Sequence, residues 1–147
     1  MFEKSRQLLE EEGYLHYEIS NYACPGFQGQ HNCRYWQAKP YLGIGAGASG
    51  YLYGERYTNT CSVRDYINIL SAGKLPLAQR EHVGYREAMA EKMFLGLRLL
   101  EGVSMTDFEK QFGVKLKDVF GRSLVDDSPG GTLCRGSRVY YCGDKKY

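Results

Sequence analysis

A glycine-rich run constrains this chain more than any other feature of its sequence. Residues 43–54 read GIGAGASGYLYG, and the letters from Gly45 to Gly50 match G-x-G-x-x-G, the pattern of a dinucleotide-binding loop. Such a loop needs a helix to begin at its last glycines, because the helix amides face the pyrophosphate. Here YLYGERY follows, with alternating aromatics and Gly54, and Tyr51 stands where a P-loop needs lysine. We therefore expect neither nucleotide loop.

Two explanations of the glycines stay open. Gly43, Gly45, Gly47 and Gly50 remove nearly all side-chain bulk from what the sequence predicts to be a strand end. Their absence of bulk favours close packing of this backbone against a neighbouring element. The other explanation is a flat ligand that lies directly against the backbone, which composition favours slightly less.

Composition excludes several classes of function. The chain has 147 residues, which is enough for one domain or parts of two. Its formal net charge is +2 without a basic stripe, so nucleic acid is not an expected partner. Its apolar runs are far shorter than the ~20 residues needed to cross a bilayer, and no signal segment is present. These features predict a cytoplasmic protein without a transmembrane segment.

The cysteines do not form a recognisable metal motif. There are 5 of them, irregularly spaced, and an odd number favours reduced thiols over a disulfide framework. No pair has the spacing CxxC and no CxxxCxxC triplet exists, so a zinc ribbon or an iron–sulfur site within this sequence is poorly supported.

The first half of the chain predicts mixed helix and strand. Residues 2–12 have helical periodicity, and we expect the helix to end at Gly13. In YLHYEIS, over 14–20, apolar and polar residues alternate as they do in a strand. Residues 21–38 resemble a loop, 41–44 a short strand, and 51–60 a strand or hairpin.

The second half predicts mainly helix. Ser62 and Asp65 form a capping box for a helix that ends at Gly73. A long amphipathic helix is expected over 83–101, with an apolar stripe for packing, followed by helices at 106–113 and from 115 on. SRVYY, over 137–141, predicts a hairpin strand or wing.

The segment HNCRYW offers the best candidate ligands. If it forms a helical turn, His31 and Tyr35 share a face, and both residue types serve as axial ligands of haem iron. Trp36 is suited to stacking on a macrocycle. The alternative is a hydrogen-bonded His31–Tyr35 pair that fastens a loop. Glu18 is the best-placed carboxylate, with a salt-bridged or solvent-facing position expected, and we identify no catalytic residue.

Three consecutive motifs carry a family resemblance. YEISNYACPG, QHNCRYW and YLGIGAGASG, at residues 17–26, 30–36 and 41–50, resemble the radical S-adenosylmethionine haem chaperones, HemW-like relatives of oxygen-independent coproporphyrinogen III oxidase. The similarity continues through FLGLRLLEGVS and covers roughly residues 1–125. The tail after Asp127 departs from the family's pattern, which leaves a different wing, a truncation or a reading-frame error open.

The resemblance implies an α/β fold. Residues 1–60 would form the last helix–strand units of a partial TIM-like barrel, and 61–80 a connecting helix and linker. Residues 81–147 would form a mainly helical, winged-helix-like C-terminal domain. The family holds a [4Fe-4S] cluster on CxxxCxxC, which cleaves S-adenosylmethionine to a radical; this sequence lacks that motif, so we expect no radical chemistry from it alone.

The resemblance also implies site residues. Ala23, Gly45, Gly47 and Ser49 would form part of the S-adenosylmethionine wall, although Ser49 replaces an expected histidine. His31, Asn32, Tyr35 and Trp36 would form a haem-related loop, with His31 the candidate iron ligand.

Three hypotheses of function follow. The first is the C-terminal part of a haem chaperone in haem or porphyrin metabolism, with a haem-acceptor protein as a further partner. The second is a non-catalytic haem-binding or interaction module, and the third a gene fragment without autonomous function. Chaperone and oxidase are not separated by these residues, nor is the oligomeric state determined.

Overall fold

The computed structural model describes residues 2–121 and 132–141 as a mixed α/β chain. In chain order its elements are α1 (Phe2–Glu11), β1 (Leu15–His16), β2 (Tyr22–Ala23), α2 (Gln30–Trp36), β3 (Ser49–Leu52), β4 (Glu55–Asn59), α3 (Val63–Ser71), β5 (Leu77–His82), α4 (Tyr85–Gly96), β6 (Val103–Ser104), α5 (Met105–Phe112), α6 (Leu116–Phe120), β7 (Thr132–Arg135) and β8 (Arg138–Tyr141).

The chain divides into two compact units. One comprises residues 2–37 together with the described residues from Glu91 on, and the other comprises residues 38–90. The expected domain boundaries near residues 60 and 80 remain predictions.

The N-terminal segment begins with the helix–strand pair that the sequence predicts. Helix α1 is confirmed, but β1 has only two residues and pairs antiparallel with β2, with Leu15 opposite Ala23. The alternation over 14–20 places Ile19 on the buried face and Glu18 on the opposite face, and this prediction is wrong. Glu18 is 0% exposed, whereas Ile19 is 44% exposed. At this position the backbone forms an isolated antiparallel bridge with Leu99, so a distant segment covers Glu18 that the local alternation does not reveal.

The buried Glu18 carboxylate is held locally. Its Oε1 accepts a hydrogen bond from the Ser20 amide at 3.1 Å and another from the side chain of Asn21. The expectation of a salt-bridged or solvent-facing Glu18 is therefore wrong: the side chain is buried, the two donors satisfy Oε1, and Oε2 has no hydrogen-bond partner among the described residues.

The second unit is a three-stranded antiparallel sheet with α3. The predicted hairpin is confirmed, with Tyr51 opposite Arg56 and a turn at 53–54. Strand β5 pairs with β4 where a linker was expected, and the predicted strand at 41–44 is reduced to a single bridge between Tyr41 and Tyr51. The Ser62 cap is confirmed, because its hydroxyl accepts the Asp65 amide at 3.3 Å.

Helix α4 is shorter than its apolar stripe predicted. It ends at Gly96, and the stripe is only partly buried: Met93 is 7% exposed but Phe94 is 71% exposed. The turn after it continues into the pairing with the N-terminal segment, where the Leu100 amide donates to the Tyr17 carbonyl at 3.2 Å.

The C-terminal part of the first unit has its own core. Strands β6, β8 and β7 form an antiparallel sheet in that order, with α5 and α6 between β6 and β7 along the chain. Phe108 and Val139 are 0% exposed, and the Phe108 ring lies 4.7 Å from that of Phe112. The predicted helix at 106–113 is confirmed with its cap at Ser104 instead of Thr106.

The predicted strand over SRVYY is confirmed as β8. The expectations for the tail, namely its atypical course after Asp127 and the continuation of the last helix, fall largely outside the described residues.

Candidate functional site

The HNCRYW segment is helical, which the sequence treated only as one alternative within a predicted loop. Helix α2 begins after Gly29, whose carbonyl accepts the Cys33 amide at 2.9 Å, and ends where the Gln37 amide donates to the Cys33 carbonyl. His31 and Tyr35 are both exposed and stand one helical turn apart. The structure therefore presents both candidate ligands from one side of a short helix.

The other two residues of the motif are partly buried. Asn32 is half-buried, and the Trp36 ring packs edge-on against Tyr35 with centroids 5.0 Å apart. Trp36 Nε1 is buried and has no hydrogen-bond partner among the described residues.

Two cations from the α4 region support α2, and sequence patterns did not indicate either of them. The Arg98 guanidinium lies over the Trp36 ring, with Cζ 4.3 Å from the ring centroid. Lys92 is 8% exposed, and its Nζ donates to the Gln37 carbonyl at 2.7 Å, at the C-terminal end of α2. A cation is favourable there because the last carbonyls of a helix carry partial negative charge.

Cys33 lies within α2 and is half-buried. Burial raises the pKa of the Cys33 thiol above its ordinary value, and the carboxylates of Glu101 and Glu18 raise it further. The thiol is therefore protonated at neutral pH, which does not favour it as a soft metal ligand.

The glycine segment of the second unit is closely packed at two positions. A Cβ added at Gly43 would lie 2.2 Å from the Ser49 carbonyl oxygen, and one at Gly50 would lie 2.3 Å from the Tyr57 ring. The Gly43 amide donates to the Tyr57 hydroxyl at 3.0 Å. Close packing therefore accounts for Gly43 and Gly50.

Further side chains hold the middle of the segment. The Gly45 amide donates to the Tyr66 hydroxyl at 3.1 Å, and the Asn59 side-chain amide donates to the Gly43 and Gly45 carbonyls at 3.1 and 2.9 Å. The segment then enters the strand β3, whereas a dinucleotide loop enters a helix at this point.

The residues assigned to an S-adenosylmethionine wall fall into different units. Ala23 is half-buried on β2 in the first unit, whereas Gly45, Gly47 and Ser49 lie in the second. A Cβ at Gly45 would meet no described atom within 4 Å, and the Ser49 hydroxyl lies 3.0 Å from that of Thr58.

An apolar cavity of about 350 Å³ also lies in the second unit. Leu42, Gly43 and Ile44 form one wall, and the Tyr57 and Tyr66 rings contribute to it. The pattern of small residues indicated a close backbone approach at this segment, but it gave no sign of the leucines from α3 and β5 that complete the cavity.

Within residues 2–121 and 132–141, no group of three or more His, Cys, Asp and Glu side chains is placed to hold a metal ion. The same part of the chain contains no helix with the length and apolar character needed to cross a membrane.

Comparison with known proteins identifies related sequences. The sequence model of the HemN C-terminal domain matches residues 85–127. The heme chaperone HemW of Lactococcus lactis is 39% identical over 126 residues, covering 86% of this chain and 33% of that protein. HemW of Bacillus subtilis is 36% identical over 141 residues, covering 96% of this chain and 37% of the relative. The chain thus spans about a third of the length of the curated relatives it matches.

A solved structure matches the fold. The chain is similar, with a TM-score of 0.66 and 13% identity, to Escherichia coli HemN, described as a coproporphyrinogen III oxidase and radical SAM enzyme. The match covers 95% of this chain and 36% of that protein. At this identity the likeness concerns the fold alone.

Proposed function

We propose that α2 is a haem-binding element, because the chain corresponds to the C-terminal portion of a HemW-like radical S-adenosylmethionine haem chaperone. The observation that carries the proposal is the exposure of His31 and Tyr35 one turn apart on α2, beside the aromatic surface of Trp36. An imidazole and a phenol are both known axial donors to haem iron, and an indole packs well against a porphyrin. His31 is the candidate iron ligand, and Asn32 belongs to the same element.

The iron–sulfur cluster that the family carries does not fit the residues that the structure describes in this chain. A [4Fe-4S] cluster needs several thiolates converging on one site, and Cys24, Cys33 and Cys61 are all free thiols in the structure. Because no metal-binding group is found among the described residues, no step of radical chemistry is assigned to this chain.

A role at the S-adenosylmethionine wall is proposed for Ala23, Gly45, Gly47 and Ser49. The support is the open space beside the Gly45 Cα, which suits a ligand that packs directly on backbone. For the C-terminal residues we propose a winged-helix-like domain, since helices α5 and α6 stand between β6 and the β7–β8 hairpin. A cytoplasmic location and a haem-acceptor protein are part of the same proposal.

The proposal is tested by haem titration of the 147-residue chain. The Soret band reports ligation of the iron. The sequence has 1 tryptophan, Trp36, so quenching of tryptophan fluorescence reports binding next to α2. We expect His31→Ala to shift the Soret band and weaken binding by roughly tenfold or more, and Tyr35→Phe to alter the band with the ring retained.

His82→Ala is the matched control, because His82 is exposed on β5 and outside the proposed element. Unchanged Soret position and affinity in both α2 variants would show that haem binds elsewhere. A wild-type chain that does not bind haem at all would favour an interaction module or a fragment without its own activity.

A further inference from the structure

The Arg98 guanidinium forms no ion pair within the described residues. It lies flat against Trp36, with Cζ 4.3 Å from the ring centroid. In the described parts of the chain, 2–121 and 132–141, no carboxylate pairs with it and no acceptor bonds to its side chain, although Glu101 and Glu18 lie in the same unit. Arg98 is half-buried, so part of its side chain stays accessible.

Two buried N–H groups meet at this contact without acceptors. Arg98 Nε and Trp36 Nε1 are both buried and lack hydrogen-bond partners among the described residues. Buried donors are rarely left unpaired in native proteins, because each costs the free energy of its lost hydration. These two donors stay unused within the described part of the chain, as does the buried Oε2 acceptor of Glu18. Nη1 and Nη2 of Arg98 are not among the buried unpaired atoms, so an acceptor from outside the chain would reach the guanidinium there.

Two backbone hydrogen bonds hold the backbone of Arg98. Its carbonyl accepts the Ile19 amide and its own amide donates to the Leu95 carbonyl, both at 3.1 Å. A guanidinium on such a fixed base, pre-oriented by an aromatic ring, is well suited to planar carboxylates, which it binds through two parallel hydrogen bonds.

We infer that Arg98, held by Trp36, binds a propionate carboxylate of the porphyrin that α2 receives, an inference that rests on the proposed function. Trp36 contacts Tyr35, so the cation stands beside the candidate ligand face of α2. The iron would be held through α2, and the acidic edge of the macrocycle would point toward Arg98. This arrangement selects free-acid porphyrins over their esters.

The test is a double-variation cycle, which compares the loss of the Arg98 charge with the loss of the ligand carboxylates. Haem and haem dimethyl ester, in the same detergent, are titrated against the wild-type chain and against Arg98→Met, Arg98→Lys and Arg86→Met. Met keeps the length and apolar stem of arginine without its charge. Arg86 is an exposed cation on α4 and provides the matched control. Trp36 quenching gives both affinities, and far-UV circular dichroism checks that each variant is folded.

We expect the wild type and Arg86→Met to bind haem roughly tenfold more tightly than the ester, and Arg98→Met to lose this preference. Arg98→Lys should keep part of it, since a cation remains without the planar fork. If Arg98→Met weakens both ligands by the same factor, Arg98 only packs Trp36 and the inference is overturned. A wild type that binds both ligands equally well refutes the inference alone, whereas one that binds neither refutes the proposed function as well.

Discussion

Replacing Gly43 by alanine tests whether close packing explains the glycine segment. The added Cβ would lie 2.2 Å from the Ser49 carbonyl oxygen and 2.4 Å from its carbon, far inside the separation that such atoms tolerate. These are backbone atoms, so no side chain can rotate away. The segment at 41–43 must therefore move away from β3.

That movement has a free-energy cost that the contacts allow us to estimate. Tyr41 and Tyr51 exchange two backbone hydrogen bonds of 2.9 Å, and Asn59 donates to the Gly43 carbonyl. Overpacking costs about 1–3 kcal/mol and each weakened hydrogen bond about 0.5–1.5 kcal/mol. Allowing for partial relaxation, we expect Gly43→Ala to lower the free energy of unfolding by about 2–4 kcal/mol.

Urea unfolding followed by far-UV circular dichroism measures this loss. Gly121→Ala is the control, because Gly121 has φ −52° and ψ −35°, and a Cβ there would meet no atom of residues 2–121 and 132–141 within 4 Å. Its stability should stay unchanged or rise by up to about 1 kcal/mol. If the free energy of unfolding of Gly43→Ala lies within about 0.5 kcal/mol of wild type, the packing explanation is refuted. A bound ligand would then be the better explanation of the glycines.

Three further predictions concern the core, a helix cap and pH. Phe108→Ala should lower the free energy of unfolding by about 3–5 kcal/mol, since Phe108 is 0% exposed. Thermal melts measure this loss, and Phe94→Ala, at a 71% exposed position, should cost far less in them. Ser62→Ala should cost about 1 kcal/mol by removing the acceptor of the Asp65 amide, and Ser62→Asp should restore most of it; equal melting temperatures for all three proteins would contradict this. Because burial raises the pKa of Cys33, the unfolded chain releases this proton first as pH rises, so the Cys33 contribution is present at neutral pH and is lost at alkaline pH. The decline in stability from pH 7 toward pH 10 should be smaller in Cys33→Ala, and equal declines would show that the thiol does not contribute.

Local signals predicted local structure well. The Ser62 cap, the hairpin across residues 53–54 and the helix that ends at Gly113 are confirmed, because each depends on contacts between residues close in the chain. Residue pattern failed where a distant partner decides the outcome. The sequence of β5 resembles a charged linker. The segment forms a strand because it pairs with β4, with Tyr57 opposite Arg80.

The candidate site shows the same division. His31 and Tyr35 could be selected from their spacing alone, because helical geometry fixes which residues share a face. Arg98 could not, since its contact with Trp36 spans a long stretch of sequence and depends on how the residues after α4 pair with the N-terminal segment. The partners that support a site are therefore the part of it that sequence patterns reveal least.

The glycine segment shows why the letters of a motif do not determine its chemistry. A dinucleotide loop works through backbone amides that point at the ligand, but here the amides are already used within the fold. Gly43 donates to the Tyr57 hydroxyl, Gly45 to the Tyr66 hydroxyl, and Gly47 to the Thr60 carbonyl at 2.9 Å. A cofactor at this segment would have to pack against Cα atoms and small side chains, since hydrogen bonds from these amides are not available to it. Binding there would consequently depend on shape, and enlarging Gly45 or Gly47 should impair it more than any change of charge nearby.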